Sequence, residues 1–209
     1  MNQRMGLRER KKERTREAIA NTAIRLFLDK GFDQVSITEI AEAAEISRRT
    51  LFAYFPAKED LVLHRFADHE SEAARTVRAR PAGQPPLEAL REGLLDALAR
   101  RDPITGLSDD PEVMAFLRMI VGAESLAARL TRYTSRGIEA LAEAFAEAGT
   151  DPLVARLVAA QVIVVQRQLS EMNYESLAHG ATADERYPDA VRAAQRAFDL
   201  LRDGLGAHG

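Results

Sequence analysis

Residues 35–63 read VSITEIAEAAEISRRTLFAYFPAKEDLVL, two short amphipathic segments parted by a turn, each opened by a residue able to cap it. Ser36 or Thr38 can cap a helix whose apolar positions Ile37, Ile40, Ala41 and Ala44 fall at i, i+3, i+4 and i+7. That helix is expected to stop at Glu45 and Ile46, where Ser47 offers a second capping hydroxyl. The helix that follows, Arg48 to Phe55, is expected to turn Leu51, Phe52 and Phe55 inward and to leave Arg48, Arg49, Thr50 and Tyr54 outside. Two capped helices across a short turn have the geometry with which proteins read the major groove, so duplex DNA is the first partner to consider.

The same residues carry a family resemblance. Thr38, Ile40, Ala41, Ala44, Ile46, Ser47, Thr50, Leu51, Tyr54, Phe55, Lys58 and Leu61, with the Gly31-Phe32 pair ahead of them, resemble the N-terminal domain of TetR-family (tetracycline-repressor-like) transcriptional regulators over residues 12–63. The resemblance implies an all-α chain. It implies that residues 1–57 form a DNA-binding domain with a basic arm and that residues 58–209 form a larger helical domain for ligand binding and dimerisation. It also implies that Tyr54 and Lys58 grip the DNA backbone, while Thr50 can contact a thymine methyl or a phosphate, and Thr38 and Ser47 can either cap their helices or contact a phosphate. Phe52 departs from the pattern, because the family usually has a tyrosine there whose hydroxyl reaches a phosphate. The segments SRRTLFAYFPAKEDLVL and DPEVMAFLRMIVGAESLAARL further resemble a branch with an acyl-CoA-like ligand-binding C-terminal domain.

Charge supports the same partner. Residues 1–16 hold seven basic side chains against two acidic ones, a net +5 in a chain of net −3, so the remainder carries −8. A basic arm beside a helix-turn-helix suits phosphates; alone it reads as a solvated tail. Cysteine is absent from the 209 residues, which excludes disulfide and thiolate chemistry. The N-terminus has no apolar core of a secretory signal and no window approaches a membrane span, so a soluble cytoplasmic protein is expected.

The rest of the sequence is helix after helix. A first helix from about Thr15 to Lys30 places Ile19, Ala23, Leu26 and Phe27 on one face and ends at Gly31. A long connector is expected over Lys58 to Arg78, then helices over 87–101, from Pro111, and over 124–148. The helix opened by Asp151 and Pro152 repeats Val158, Val162, Val165, Leu169 and Met172 at heptad spacing, beside a second stripe of Leu153, Leu157, Ala160 and Val164. A helix apolar on two sides suits one packed both on its own core and on another subunit, and the last helix shows similar stripes through Val191 and Phe198. The spacing is equally compatible with an ordinary internal core; the family resemblance implies a homodimer.

Arg48 and Arg49 are the candidates for base readout, because the guanidinium fork matches guanine O6 and N7 together. A mostly apolar effector site is expected where Phe66, Met114, Leu117, Arg118 and Tyr133 converge on the Gln161, Val165, Gln168 and Met172 face of the penultimate helix. Two amides at i, i+7 among aliphatics need partners, and Arg118 can meet an acidic head group. The expected function is a repressor released from a pseudo-palindromic operator by a small lipophilic or acyl-type effector, with no cofactor. A competing reading is a metal-dependent helical-bundle enzyme built on His64, Asp68 and His69. It lacks the Glu-x-x-His and HExxH patterns of known metal bundles, and no serine elbow or phosphate-binding loop is present. A purely structural interaction protein is the third class.

Overall fold

The computed structural model describes residues 6–204, apart from the side chains of Leu7, Phe66, Ala67 and Asp68. Among the described residues there are ten α-helices, one 3-10 turn and no strand, as the all-α expectation requires. The helices are α1 (Leu7–Lys30), α2 (Ile37–Ala43), α3 (Arg48–Tyr54), α4 (Lys58–Glu70), α5 (Glu72–Ala79), α6 (Pro86–Ala99), α7 (Pro111–Gly122), α8 (Glu124–Glu147), α9 (Pro152–Ala178) and α10 (Ala183–Asp203), with the 3-10 turn at Pro103–Thr105. The chain divides into two compact units, Met1–Phe66 with Arg118–Leu130, and Ala67–Leu117 with Thr131–Gly209. The first unit therefore extends past the 57/58 boundary expected from sequence, because Leu61, Val62 and Leu63 of α4 are fully buried.

In the first unit α1 begins at Leu7 rather than near Thr15, so the described part of the basic arm is helical. The run from Leu7 to Arg16 lacks an apolar period, but apart from Thr15 it is composed of Arg, Lys, Glu and Leu, all strong helix formers. Glu9 closes the N-terminus by accepting from the Gly6 amide at 3.1 Å. The core gathers Ile19, Ala23 and Phe27 of α1 with Phe32, Val35, Ile40, Leu51 and Phe55, all buried. Asp60 accepts a two-pronged ion pair from Arg129, with Nε to Oδ1 at 2.7 Å and Nη2 to Oδ2 at 2.8 Å. The Asp60 side chain is only 13% exposed, so Arg129→Ala leaves a shielded carboxylate with the Ala57 amide at 3.0 Å but without its counter-charge. That change is expected to lower stability by about 2–3 kcal/mol, read as an earlier urea midpoint.

The second unit packs α5, α6, α8, α9 and α10 around Val77, Leu90, Leu141, Phe145, Ala159, Val162 and Phe198. A second cluster at the other end joins Leu98, Leu107, Leu177, Ala190 and Ala194. The connector expected over 58–78 is broken at Ser71, whose φ of −105° and ψ of 7° leave the helical region between α4 and α5. Gly137 of α8 lies against this break, where an added Cβ would stand 3.2 Å from the Glu70 carbonyl oxygen.

Contrary to the expectation that no window approaches a span, α9 is by length and composition apolar enough to cross a membrane, with mean hydropathy 1.2 over 18 residues. Its physical reason is the two-sided apolar surface. One side, through Ala155, Ala159 and Val162, is buried in the second unit, whereas Leu153 at 67%, Leu157 at 54% and Val164 at 49% exposure form an outer stripe.

Candidate nucleic-acid interface and cavity

The turn between α2 and α3 is built by backbone geometry. Ser36 Oγ accepts from the Glu39 amide at 3.1 Å and so caps α2. At the other end the Ile46 amide donates to the Ala41 carbonyl at 2.9 Å and the Glu45 amide to the Glu42 carbonyl at 3.0 Å. Those are the two bonds of a Schellman motif, with Glu45 at φ 55° in the left-handed position that glycine usually fills. Ser47 then caps α3 by accepting from the Thr50 amide at 3.0 Å, and its hydroxyl lies 2.8 Å from that of Thr50. Both hydroxyls predicted to face DNA therefore already hold the helix start.

Leu51 and Phe55 are fully buried, and Arg48 and Arg49 are exposed on the other side of α3. Arg48 Nη1 reaches Thr38 Oγ1 at 3.5 Å, which holds Thr38 and Arg48 on one surface. Tyr54 is half-buried. Phe52, expected to turn inward, is instead 46% exposed, because Leu51 and Phe55 already fill the side of this short helix that meets the core.

Lys58 is tied to the first unit's own core. Its ammonium donates to the Phe32 carbonyl at 2.5 Å and sits 4.5 Å from the Phe32 ring centre and 5.5 Å from that of Phe27. Burial draws its pKa below the ordinary lysine value, against the opposing pull of Asp33 and Glu59. This is a structural role that the motif alone does not disclose. Along α1, Arg8, Arg10, Lys11, Lys12 and Arg14 are exposed, whereas the Arg16 guanidinium stacks 4.9 Å over the Phe55 ring.

The histidines of the competing metal reading have separate partners. His64 Nε2 lies 3.6 Å from Glu13 Oε1 in the first unit, and His69 Nδ1 lies 2.6 Å from Glu72 Oε2 in the second. The Asp68 side chain lies outside the described residues.

Within the second unit a cavity of about 260 Å³ is walled by Leu90, Leu94, Ile163 and Leu169 and edged by polar groups. Among the described residues, none of those expected at an effector site lines it. Met114 packs against the Leu98 and Leu107 cluster, Leu117 and Tyr133 are half-buried, and Arg118 is exposed. On α9, Gln161 is exposed, Val165 half-buried, Met172 50% exposed, and Gln168 Nε2 donates to Glu171 Oε2 at 2.6 Å. Phe66 lies outside the described residues. The face of α9 that meets the cavity instead carries Gln166, Ser170 and Asn173. Their spacing continues the buried row Ala155, Ala159, Val162, and that continuity was the available sequence signal.

Polar groups at the cavity floor are tied down. Asn173, 3% exposed, donates from Nδ2 to the Thr105 carbonyl at 3.0 Å and accepts from Arg186 Nε at 3.0 Å. Ser170 Oγ donates to the Ile104 carbonyl at 2.9 Å. At the rim the hydrogen bond with His69 holds the Glu72 carboxyl below the usual carboxylate range, helped by Arg75 and Arg100.

Residues 19–64 match the family described as bacterial regulatory proteins, tetR family. The chain is 34% identical over 128 residues to the HTH-type transcriptional regulator TcmR of Streptomyces glaucescens, covering 61% of this chain and 57% of that one. It is 34% identical over 88 residues to the HTH-type transcriptional regulator AcrR of Shigella flexneri, covering 41% of each. The match thus spans little more than half of the one relative and less than half of the other. Two solved structures share the fold. NalD of Pseudomonas aeruginosa, titled the secondary repressor of a multidrug efflux pump, superposes with TM-score 0.56 at 20% identity over 88% of this chain and 97% of its own. FadR of Thermus thermophilus, a TetR-family repressor solved with lauroyl-CoA, gives 0.52 at 22% over 91% and 94%. The amino-terminal domain belongs to the TetR family of bacterial regulatory proteins.

Proposed function

We propose that the chain is a cytoplasmic transcriptional regulator that binds a pseudo-palindromic operator as a homodimer and is released by a small-molecule effector, making it a repressor. The observation that carries the reading is the capped α2–α3 pair presenting Arg48 and Arg49, with the exposed basic row of α1 in the same unit. Relatives named as transcriptional regulators support it and give no support to the metal-enzyme alternative. The outer stripe Leu153, Leu157 and Val164 is the surface best suited to a second copy, since a protomer gains nothing by leaving large aliphatics in water.

The effector binds in the cavity of the second unit. At about 260 Å³ the space is at the small end for ligand sites, which fits a compact effector or one acyl-type tail rather than an enclosed acyl-CoA. Leu90, Leu94 and Ile163 suit its lipophilic body, and Gln166 with the His69–Glu72 pair suits a polar end. Release follows if the effector binds better to a conformation that DNA disfavours.

Arg48→Ala or Arg49→Ala is expected to remove about 1–3 kcal/mol of discrimination at particular base pairs while leaving affinity for random duplex nearly intact. Duplexes selected from a random pool, re-measured by anisotropy with each variant, check this. Uniform loss at every sequence would place these arginines on phosphates instead. Titrating the same complexes with medium-chain fatty acids, in wild type and Gln166→Leu, tests the cavity.

A further inference from the structure

Phe52 is the one exposed large aromatic side chain among the described residues, left outside because Leu51 and Phe55 fill the core side of α3. It sits on a seven-residue helix whose other large apolar residues, Leu51 and Phe55, are wholly buried. No ring or cation partner covers it among the described residues. A neighbouring protein surface is a poor occupant, because the residues one turn back on the same side are Arg48 and Arg49. Arg49 has no hydrogen-bond or ion-pair partner among the described residues and Arg48 reaches only Thr38 Oγ1 at 3.5 Å, so two exposed cationic forks one turn back favour a polyanion. The ring carries no hydroxyl and cannot donate to a phosphate. In the major groove the C5-methyl of thymine is the one apolar group on a base edge.

Resting on the DNA-binding reading above, we infer that Phe52 is a specificity residue that packs on a thymine methyl beside the base pair read by Arg49. Residues i and i+3 are separated by about 4.5 Å along a helix, against about 3.4 Å per base pair. The thymine therefore falls one or two base pairs from the guanine that Arg49 contacts. Ala53, the next residue, is small and exposed and lets the helix approach the groove closely.

The experiment replaces each thymine of a selected operator with deoxyuridine, which deletes the methyl and keeps the pairing. Wild type is expected to lose about four-fold in affinity for one uracil position per half-site, and about fifteen-fold with both substituted. Phe52→Ala should be indifferent at that position while remaining as sensitive as wild type to replacing the guanine read by Arg49. Phe52→Tyr, which keeps the ring, should retain the uracil penalty. Because Phe52 is exposed, all variants should melt as wild type does. Wild-type indifference to uracil everywhere, or an undiminished penalty in Phe52→Ala, overturns the proposal. If Phe52→Ala changes sedimentation rather than uracil sensitivity, the ring is covered by another copy and the proposal also fails. A wild type that selects no duplex at all would instead sink the DNA-binding reading from which the inference starts.

Discussion

Gly106→Ala is expected to destabilise the second unit more than any surface substitution. Gly106 has φ 68°, and a Cβ built there would stand 2.0 Å from the Ser170 carbonyl oxygen. The left-handed backbone disfavours alanine by about 1–2 kcal/mol and overpacking adds roughly 1–3 kcal/mol. The obstacle is backbone of α9, with no flexible side-chain end that can swing aside. The 3-10 turn must then lift from α9, which breaks the bonds from Ser170 to Ile104 and from Asn173 to Thr105. Thermal unfolding should show a midpoint lower by about 10 °C, and the buried Asn173 should lose hydrogen-exchange protection. A midpoint within a degree or two of wild type would mean that the turn is not seated on α9 as described.

Leu157→Glu is expected to convert a dimer to a folded monomer. Leu157 is 54% exposed in the protomer, so the carboxylate does not disturb the protomer's own core. Buried against a second copy it becomes an unpaired charge, a penalty of several kcal/mol, equivalent to about a thousand-fold or more in dissociation constant. Sedimentation should report a monomer with an unchanged melting profile, and affinity for the full operator should fall to that of a half-site. Phe198 is unsuitable for this purpose. The sequence stripe suggested it for the subunit interface, but it is 2% exposed within the second unit, so a charge there unfolds the protomer. A Leu157→Glu protein that stays dimeric would move the interface away from this stripe.

The helix-turn-helix was legible in the sequence because its determinants are local. Ser36 and Ser47 cap, Ile40, Ala41, Leu51 and Phe55 point to the core, and each relation spans a few residues. The exposure of Phe52 and the internal contacts of Lys58 were not legible, because they depend on distant partners. Leu51 and Phe55 exhaust the space under α3, and the Phe32 carbonyl that receives Lys58 lies 26 residues away in sequence. The start of α1 was missed because a charged helix has no apolar period to reveal it. On α9 the ambiguity is intrinsic. With aliphatics on two sides, periodicity marks both stripes without saying which faces inward, and the row Gln166, Ser170 and Asn173 that meets the cavity was passed over for Gln161 and Gln168. Polar residues continuing a buried small-residue row mark the side of α9 that meets the cavity, because a buried polar group must have a partner.

The central claim, that this chain is a dimeric reader of duplex DNA, is tested most directly by the salt dependence of binding to a duplex selected from a random pool. Anisotropy titrations between roughly 50 and 200 mM salt should show log affinity falling linearly with log salt, by about a thousand-fold or more across that range. Two protomers per duplex are expected, and a scrambled duplex should bind at least a thousand-fold more weakly at the upper salt. Selection that enriches no sequence, or affinity that does not respond to salt, would contradict the account.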